Sequence, residues 1–461
     1  MKWIKKETQD RMLWCLLGVI LLLTFLTYCY TDLLLIIRHS FGIYDTIRMG
    51  KPFSFYSYST AKVLGESFPI AGEVPYDFWV YIPIALWNLP TYLWECVTKQ
   101  TFEANLLAIW WGKAMLLLPI GGCIYAIQDM VRFGLKKEKG GQVAVFLFLS
   151  SMCFIQGTGM LAQIDIMNLC FTLLGIAAMV KGKNRWFYIW FACACTCKML
   201  GLFVAIPLIL YKEKRIFYII RDLFLVSSLT LLSKILFYVD KMKCPTTFDE
   251  IRFSEYLYTS NLNMGRGPIY LFFVAFLAVL IFAYWLEWKE EPSMYRTQMC
   301  LWLAYAGISS FFLFSNTQAY WIVLLAPYAA ILGVNNERHS KLVIILDSVV
   351  GAAALGVSML TFPGFFTEMM NLNFGMMSRI AGPLQCTKVT DFVLAHGFDP
   401  SRLAMICNSF FTVALISLLV ILRPQAKNNG NSKISVDREA LWLRIAINVA
   451  CILIPIILIF K

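Results

Sequence analysis

The chain alternates long apolar runs with short polar connections along its whole length. A membrane-spanning helix needs roughly 20 apolar residues, and fewer when the helix is only partly inserted. By this criterion the pattern predicts an all-α polytopic membrane protein with about thirteen spans. The predicted spans are residues 12–30, 106–131, 143–154, 166–180, 186–196, 199–211, 216–239, 269–288, 299–314, 320–333, 342–361, 403–422 and 441–460.

The apolar stretch 78–97 is long enough to cross a membrane, but Pro83 and Pro90 interrupt it and it is rich in Trp and Tyr. Such aromatic richness is typical of the membrane interface. If this stretch crossed, the basic loop 136–139 would move to the outer side and break the charge pattern. We therefore expect an interfacial or re-entrant helix pair within the first outer loop.

Composition supports a membrane protein. The chain is 59% hydrophobic and 15% charged, with a mean hydropathy of +0.67, whereas soluble domains carry about 25% charged residues. The net charge of +12 comes from basic residues in short loops, as expected for loops on the cytoplasmic side. This distribution gives no sign of nucleic-acid binding. It predicts a multi-pass plasma-membrane protein with a cytoplasmic N-terminus, a retained first span and a functional outer face.

The polar segment 31–77 follows the first span and carries the first candidate chemistry. Asp32 lies at the edge of an apolar run, where a carboxylate is costly and indicates function; the alternative is an acid that only marks the helix end. If the helix continues, Asp32 and His39 share a face about 10 Å apart. Arg38, Asp45 and Asp77 are further candidates in this segment.

Three later positions add candidates for the same face. Gln163 and Asp165 lie in the turn 157–165, where Asp165 is either a helix N-cap or a second acid near Asp32. Lys198 interrupts about 25 apolar residues between two basic loops. An even number of crossings is required there, so a hairpin of two short helices is expected with Lys198 near its tip. Lys198 either faces a polar cavity or phosphate, or extends to the interface.

Two further turns carry polar groups beside aromatic residues. Arg266 precedes Pro268 at the start of a span, where its guanidinium would either clamp a phosphate or anchor the helix at the interface. Asn316 and Gln318 precede Tyr320 and Trp321, an amide-and-aromatic combination suited to sugars but also found in ordinary connections. The sequence contains no phosphate-binding loop, nucleophile elbow or dinucleotide fingerprint. No metal-ligand spacing is present either, so a divalent metal is possible but not indicated.

Four of these features, in this order, resemble the GT-C superfamily of membrane glycosyltransferases. They are an acid after the first span (Thr31-Asp32, then Arg38-His39), an aromatic stretch with proline (75–83), the turn Ala162-Gln163-Ile164-Asp165, and the lysine of Cys197-Lys198-Met199-Leu200. A later polar turn and proline at 316–327 is similar to the end of the family's module. The resemblance covers roughly the first 330 residues.

The resemblance implies one membrane-embedded domain over 1–461, in which 1–334 form a GT-C-like catalytic module and 335–461 add C-terminal helices. It implies transfer of a sugar from a polyprenyl-phosphate donor to an extracytoplasmic glycan, lipid or protein acceptor. Asp32 would be the general base, while cations such as Lys198, Arg266 or Arg38 would stabilise the leaving phosphate. The sequence lacks the DxD pair of metal-using branches, which puts a required Mg²⁺ or Mn²⁺ in doubt.

Two alternatives share the same face and substrates. A lipid-linked glycan transporter or flippase would bind the donor without releasing its phosphate, although the inverted repeats typical of transporters are not evident in this sequence. A glycan polymerase or ligase would transfer a chain rather than one sugar.

Overall fold

The computed structural model describes residues 2–65, 74–244, 255–265, 267–288, 294–336, 338–362, 388–424 and 437–459, and about 81% of the structure is helical. Seven helices in this described part are long and apolar enough to cross a membrane. The prediction of an all-α polytopic membrane protein is therefore confirmed, whereas the count of thirteen spans is not. The seven are Asp10–Thr27, Leu106–Gly134, Ile216–Lys241, Met294–Phe314, Ser340–Thr361, Pro400–Ile421 and Arg438–Ile457.

Several of the other expected spans are shorter or bent helices. The pair Gly140–Leu149 and Met152–Met160 bends by 52° and would form an eighth crossing if counted as one span. Asp165–Val180, Met199–Lys212, Leu271–Trp285 and Ala319–Gly333 are apolar but shorter. Because these helices are short, polar turns at their ends can lie within the bundle. Some polar side chains on those turns are therefore buried.

The α-helices of the first half of the chain are Lys2–Thr27, Thr31–Arg48, Phe55–Gly65, Phe78–Thr98, Leu106–Ala114, Leu117–Asp129, Gly140–Leu149, Met152–Phe154, Asp165–Val180, Asn184–Cys197, Leu202–Lys212 and Ile216–Lys241. Those of the second half are Leu271–Trp285, Met294–Phe314, Ala326–Gly333, Ser340–Thr361, Val389–Ala395, Pro400–Ile421 and Arg438–Ile459. The 3₁₀ turns are Pro52–Ser54, Phe102–Ala104, Met199–Gly201 and Ala319–Leu325, and the π turns are Met130–Gly134 and Ile155–Met160. Strands Asn261–Met264 and Gly267–Tyr270 form an antiparallel hairpin.

The expected helix pair over 78–97 is wrong, because Phe78–Thr98 is one α-helix that contains both Pro83 and Pro90. An internal proline removes one backbone hydrogen bond and normally kinks or ends a helix. Here tertiary packing offsets that loss, since the helix lies along Thr31–Arg48 and the Tyr44 hydroxyl donates to the carbonyl of Ala85 at 2.7 Å. This helix is not one of the seven candidate spans of the described chain.

A buried lysine holds the end of the first helix. Lys113 is 1% exposed, and its ammonium donates to the carbonyls of Thr24 at 2.9 Å, Phe25 at 2.8 Å and Gly159 at 3.1 Å, and also to that of Tyr28. The last carbonyls of a helix lack partners within the helix and carry partial negative charge. Lys113 therefore fixes the first helix against the Ile155–Met160 turn.

A buried ion pair attaches the C-terminal helices to the rest of the bundle. The Arg444 guanidinium contacts the Asp347 carboxylate and donates to the carbonyls of Ser150 at 3.0 Å and Leu147 at 3.1 Å. The Ser151 hydroxyl bonds Asp347 at 3.1 Å. These contacts supply hydrogen-bond donors to backbone carbonyls at the bend between Gly140–Leu149 and Met152–Met160. The bend is therefore held by the C-terminal helix.

Two helices approach closely at Gly307, and this contact gives a stability prediction. A Cβ at Gly307 would lie 2.2 Å from the carbonyl oxygen of Phe203, an oxygen that lacks its helical partner because Pro207 has no N–H. We expect Gly307→Ala to destabilise the fold by about 1–3 kcal/mol through overpacking. The measurement is the thermal midpoint in one detergent.

Gly121 supplies the matched control for that prediction, because it is also helical and a Cβ there would meet nothing within 4 Å. Gly121→Ala should keep or raise the midpoint, since alanine favours a helix over glycine by up to about 1 kcal/mol. Equal midpoints for the two variants would show that the close approach at Gly307 does not limit packing.

Candidate functional site

Charged and aromatic side chains from several chain segments meet at one place. We call the group of Asp32, Asp165, Lys198, Tyr320 and Trp321 the acid–lysine cluster. Asp32 interacts electrostatically with both Lys198 and Asp165 and with the hydroxyl of Tyr320. The members come from the first turns of two helices, the tip of a helical hairpin and a 3₁₀ turn. The sequence-predicted residues Asp32, Asp165 and Lys198 are thus brought together.

Asp32 reaches the cluster because the first helix stops before it. The helix Lys2–Thr27 ends, and a new helix begins at Thr31 with Tyr30 in extended conformation. Asp32 therefore lies in a first helical turn, where the helix dipole favours a negative charge. Burial nevertheless raises the pKa of the Asp32 carboxyl to about 6, although Lys198 and a hydrogen bond from Tyr320 act to lower it.

Asp165 occupies the first helical position of Asp165–Val180, and Ile164 holds the N-cap position. The capping alternative for Asp165 is therefore wrong. Its carboxylate instead accepts a hydrogen bond from the Lys198 ammonium at 2.6 Å, and it is 1% exposed. Just before it, Ala162 has a φ of 53°, a left-handed conformation that costs free energy for a residue with a side chain. This strained turn leads into the helix that carries Asp165.

Lys198 lies at the predicted tip of a hairpin, between Asn184–Cys197 and the turn Met199–Gly201. Its side chain is 14% exposed. The Asn168 amide donates to the carbonyls of Ala194 at 2.7 Å and Lys198 at 3.0 Å. Because Asn168 is one turn after Asp165, a single helix face holds both the ammonium and the backbone of Lys198.

Aromatic rings surround the lysine. The Lys198 ammonium lies 4.2 Å from the ring centre of Trp321 and 5.2 Å from that of Tyr320, within the distance of a cation–π contact. Tyr30 and Tyr320 have ring centres 6.5 Å apart. Tyr76 interacts electrostatically with Asp32 and Asp165. Aromatic faces beside carboxylates can accept a sugar ring as well as cations.

The Ile155–Met160 turn sets the position of these rings. The Gln156 amide donates to the carbonyl of Ala319 at 3.0 Å, and a Cβ at Gly157 would lie 2.7 Å from the carbonyl oxygen of Tyr320. Only glycine permits so close an approach of two backbone segments. The turn that precedes Asp165 is therefore packed directly on the turn that carries Tyr320 and Trp321.

Two buried oxygens, one in the cluster and one two residues before Asp165, are unsatisfied in the described part of the chain. Among the described residues, neither the second carboxylate oxygen of Asp165 nor the side-chain oxygen of Gln163 has a hydrogen-bond partner. Both residues are buried. A buried acceptor without a donor is costly, so these two atoms are suited to receive hydroxyl donors from a ligand.

The predicted site residues Arg38 and His39 lie elsewhere on the same helix. The Arg38 guanidinium bonds Glu103 at 2.5 Å and 3.0 Å and also contacts Glu95, and its side chain is 2% exposed. His39 is fully buried, with its ring edge-on to Tyr81 at 6.2 Å. The structure therefore joins Arg38 to two carboxylates of the segment 95–103.

Asp45 and Asp77 also have partners of their own. Asp45 accepts from Lys62 at 2.9 Å, Tyr92 at 2.7 Å and Tyr58 at 3.1 Å. Since Asp45 is 13 residues after Asp32 on one helix, the two backbones are separated by about 20 Å. Asp77 precedes Phe78–Thr98 and lies 4.0 Å from the Lys241 ammonium.

The predicted residues Asn316 and Gln318 flank the cluster. The Gln318 amide donates to the Tyr256 hydroxyl at 3.1 Å, and Tyr256 packs edge-on against Trp321 with ring centres 5.7 Å apart. The Asn316 backbone N–H donates to the Thr259 hydroxyl at 3.1 Å. Arg266 lies outside the described residues. Asn316 and Gln318 thus anchor the turn that carries Trp321.

Sequence reasoning did not select Tyr76, Asn168 or Lys113 as functional residues. Asn168 had a detectable signal, since it is the amide one turn after Asp165 in an apolar helix. Tyr76 lies in an aromatic-rich segment where no single ring stands out. Within the described residues, no group of three or more His, Cys, Asp or Glu side chains could hold a metal ion.

The cluster can do three things chemically. Asp32, whose pKa burial raises to about 6, can accept a proton near neutral pH. Lys198 can stabilise negative charge, and the free oxygens of Gln163 and Asp165 can orient hydroxyl groups. No protein-family model matches the chain, and no curated protein matches it.

Proposed function

We propose that the protein is a membrane glycosyltransferase that moves a sugar from a polyprenyl-phosphate donor to a hydroxyl acceptor. The observation that carries the proposal is the acid–lysine cluster, in which a partly buried carboxylate, a lysine and aromatic rings converge beside unsatisfied acceptors. This combination supplies a base, a cation for a phosphate leaving group and a surface for a sugar.

In the proposed reaction Asp32 is the general base. Its carboxylate takes the proton of the acceptor hydroxyl as the oxygen attacks the anomeric carbon of the donor sugar. The bond between that carbon and the phosphate oxygen breaks, and the polyprenyl phosphate leaves with the bonding electrons. A general base of this kind typically contributes about 10²–10⁴-fold to the rate.

Lys198 stabilises the charge that develops on the departing phosphate. Its ammonium is already paired with Asp165 at 2.6 Å, so the pair holds the cation in place before the donor arrives. A cation positioned in advance stabilises developing charge without reorganisation. Arg38, bonded to Glu95 and Glu103, takes no part in this step.

The sugar is held by the remaining members of the site. Its hydroxyls donate to the free oxygens of Gln163 and Asp165, and one of its faces packs on Tyr320 or Trp321. Such hydroxyl-specific contacts discriminate strongly, because a ligand that lacks the hydroxyl leaves buried oxygens unpaired.

The proposal extends to architecture and location. We place the catalytic module in 1–334 and the additional helices in 335–461 of one membrane-embedded domain, in a GT-C-like bundle of about thirteen crossings. The short helices that flank the cluster would account for the crossings beyond the seven long ones. The basic loops would lie in the cytoplasm and the acid–lysine cluster at the extracytoplasmic face of the plasma membrane.

The experiment uses the full chain in phospholipid nanodiscs with a panel of polyprenyl-phosphate sugars and a mixture of glycan and lipid acceptors. We expect release of polyprenyl phosphate from at least one donor, with the sugar recovered on an acceptor. Transfer of preassembled chains alone would favour a polymerase or ligase. Donor binding without release, whatever acceptor is present, would contradict the proposal and favour a transporter.

The acid limb of the pH profile gives a second test of Asp32. Because the base acts only when ionised, and burial raises the pKa of Asp32 to about 6, the rate should be half-maximal near pH 6. Below that value it should fall about tenfold per pH unit. Initial rates of phosphate release measure this, and a rate that stays constant well below pH 6 would exclude Asp32 as the titrating base.

A further inference from the structure

The β-hairpin formed by strands Asn261–Met264 and Gly267–Tyr270 has one wholly apolar face and one mixed face. In its antiparallel register Leu262 lies opposite Ile269, and Asn263 lies opposite Pro268. Side chains alternate between the two faces of a strand, so Leu262, Met264 and Ile269 share one face. These three side chains are 53%, 60% and 40% exposed, whereas Asn261, Asn263, Pro268 and Tyr270 project from the other face.

The hairpin is continuous with a short apolar helix. Tyr270 is followed directly by the helix Leu271–Trp285, whose described residues are all apolar. Tyr258 contacts Tyr270 and Phe273 at this junction, with ring centres 4.8 Å and 5.6 Å apart. Tyrosines are concentrated where a helix enters the membrane interface. Entry of this helix into the membrane would place the apolar face of the hairpin at the level of the lipid surface.

Backbone chemistry limits the depth of the hairpin. A two-stranded ribbon has two open edges, and unpaired N–H and C=O groups are not tolerated in the hydrocarbon core. A hairpin of this size is also marginal in water without an apolar partner. Both constraints are met when the backbone stays among the headgroups and one face contacts acyl chains.

The base of the hairpin is tied to the acid–lysine cluster. The Thr259 hydroxyl accepts from the backbone N–H of Asn316 at 3.1 Å, and its single proton lies between the carbonyls of Tyr256 at 2.9 Å and Phe314 at 3.3 Å. Tyr256 accepts from Gln318 at 3.1 Å and packs against Trp321. The turn that places Trp321 beside Lys198 thus rests on Tyr256 and Thr259, which lead directly into the hairpin.

We propose that the hairpin Asn261–Tyr270 binds the acyl chains of the surrounding phospholipid through Leu262, Met264 and Ile269, and that this contact positions the turn carrying Trp321. The hairpin is then a membrane anchor for one wall of the site. This inference stands on the hairpin alone and does not depend on which reaction the cluster performs.

Site-specific photocrosslinking tests the lipid contact. The photoreactive residue p-benzoylphenylalanine is introduced at Leu262 or, as the matched control on the opposite face, at Asn263. The full chain is placed in nanodiscs of phosphatidylglycerol and phosphatidylethanolamine and irradiated, and lipid adducts are measured by mass spectrometry. We expect adducts from position 262 and few from position 263. Equal labelling from both positions, or none from 262, would overturn the proposal.

Two further arms complete the test. Adding polyprenyl phosphate identifies the bound lipid. Adducts at position 262 that form only when polyprenyl phosphate is present would show that the hairpin binds this isoprenoid and not the phospholipid.

Thr259→Val, with Thr259→Ser as its control, tests the link between the hairpin and the site by hydrogen exchange. The amide of Asn316 should exchange several-fold faster in the valine variant than in the serine variant. Equal exchange would show that the hairpin does not support the turn.

Discussion

Asp32→Asn should lower sugar transfer by at least about a hundred-fold, the lower bound for removal of a general base. Asparagine has nearly the same size and still accepts a hydrogen bond from Tyr320, but it cannot take a proton from the acceptor. The substitution also removes a carboxylate whose ionisation burial opposes, so it should not weaken the fold. The measurement is initial release of polyprenyl phosphate under saturating donor.

Asp399→Asn is the matched control for Asp32→Asn. Asp399 is 50% exposed at the start of Pro400–Ile421, where its side chain accepts from the Ser401 N–H at 2.9 Å, and asparagine serves equally well as an N-cap. This variant should keep wild-type activity. If Asp32→Asn released polyprenyl phosphate as fast as the wild type, Asp32 could not be the general base.

The fold class was predictable from the sequence because a membrane imposes a strong rule on composition. Long apolar runs such as 216–239 and 403–422 correspond to long helices, Ile216–Lys241 and Pro400–Ile421. The count of spans was less predictable, since a short apolar helix packed inside the bundle has the same composition as one that crosses. The helix Phe78–Thr98 shows a further limit, because its packing on Thr31–Arg48 outweighs two prolines.

The core of the candidate site was predictable for a related reason. Asp32, Asp165 and Lys198 are charges at positions where apolar residues are expected, and such exceptions are visible in a hydropathy pattern. The same rule selected Arg38, Asp45 and Asp77, whose charges are instead balanced within the segment 31–103 or by Lys241. Periodicity cannot tell these two groups apart, because the difference depends on which partner lies across the fold.

The aromatic part of the site was harder to predict. Tyrosine and tryptophan are common throughout this chain, so the pattern around Tyr76 carries no special signal. What places that ring beside Asp32 and Asp165 is tertiary packing of the segment before Phe78. The buried Lys113 was missed for another reason, since its partners are backbone carbonyls and leave no trace in the sequence.

The pair formed by Lys198 and Asp165 gives the largest expected effect on stability. Lys198→Met keeps the length of the side chain but leaves the Asp165 carboxylate buried at 1% exposure without its counter-charge. Breaking a buried ion pair in this way typically costs about 3–5 kcal/mol. We therefore expect a clear fall in the thermal midpoint in detergent, together with loss of sugar transfer.

The double variant Lys198→Met/Asp165→Asn separates the structural role from the catalytic one. Removing both charges abolishes the buried unpaired carboxylate, so most of the lost stability should return, because replacing a whole buried pair is often close to neutral. Transfer should stay low in the double variant, since no cation remains for the departing phosphate. Recovery of both stability and transfer would mean that the lysine only neutralises Asp165. Recovery of stability alone would show that the pair acts in transfer as well as in folding, because the fold would then be intact while the chemistry is absent.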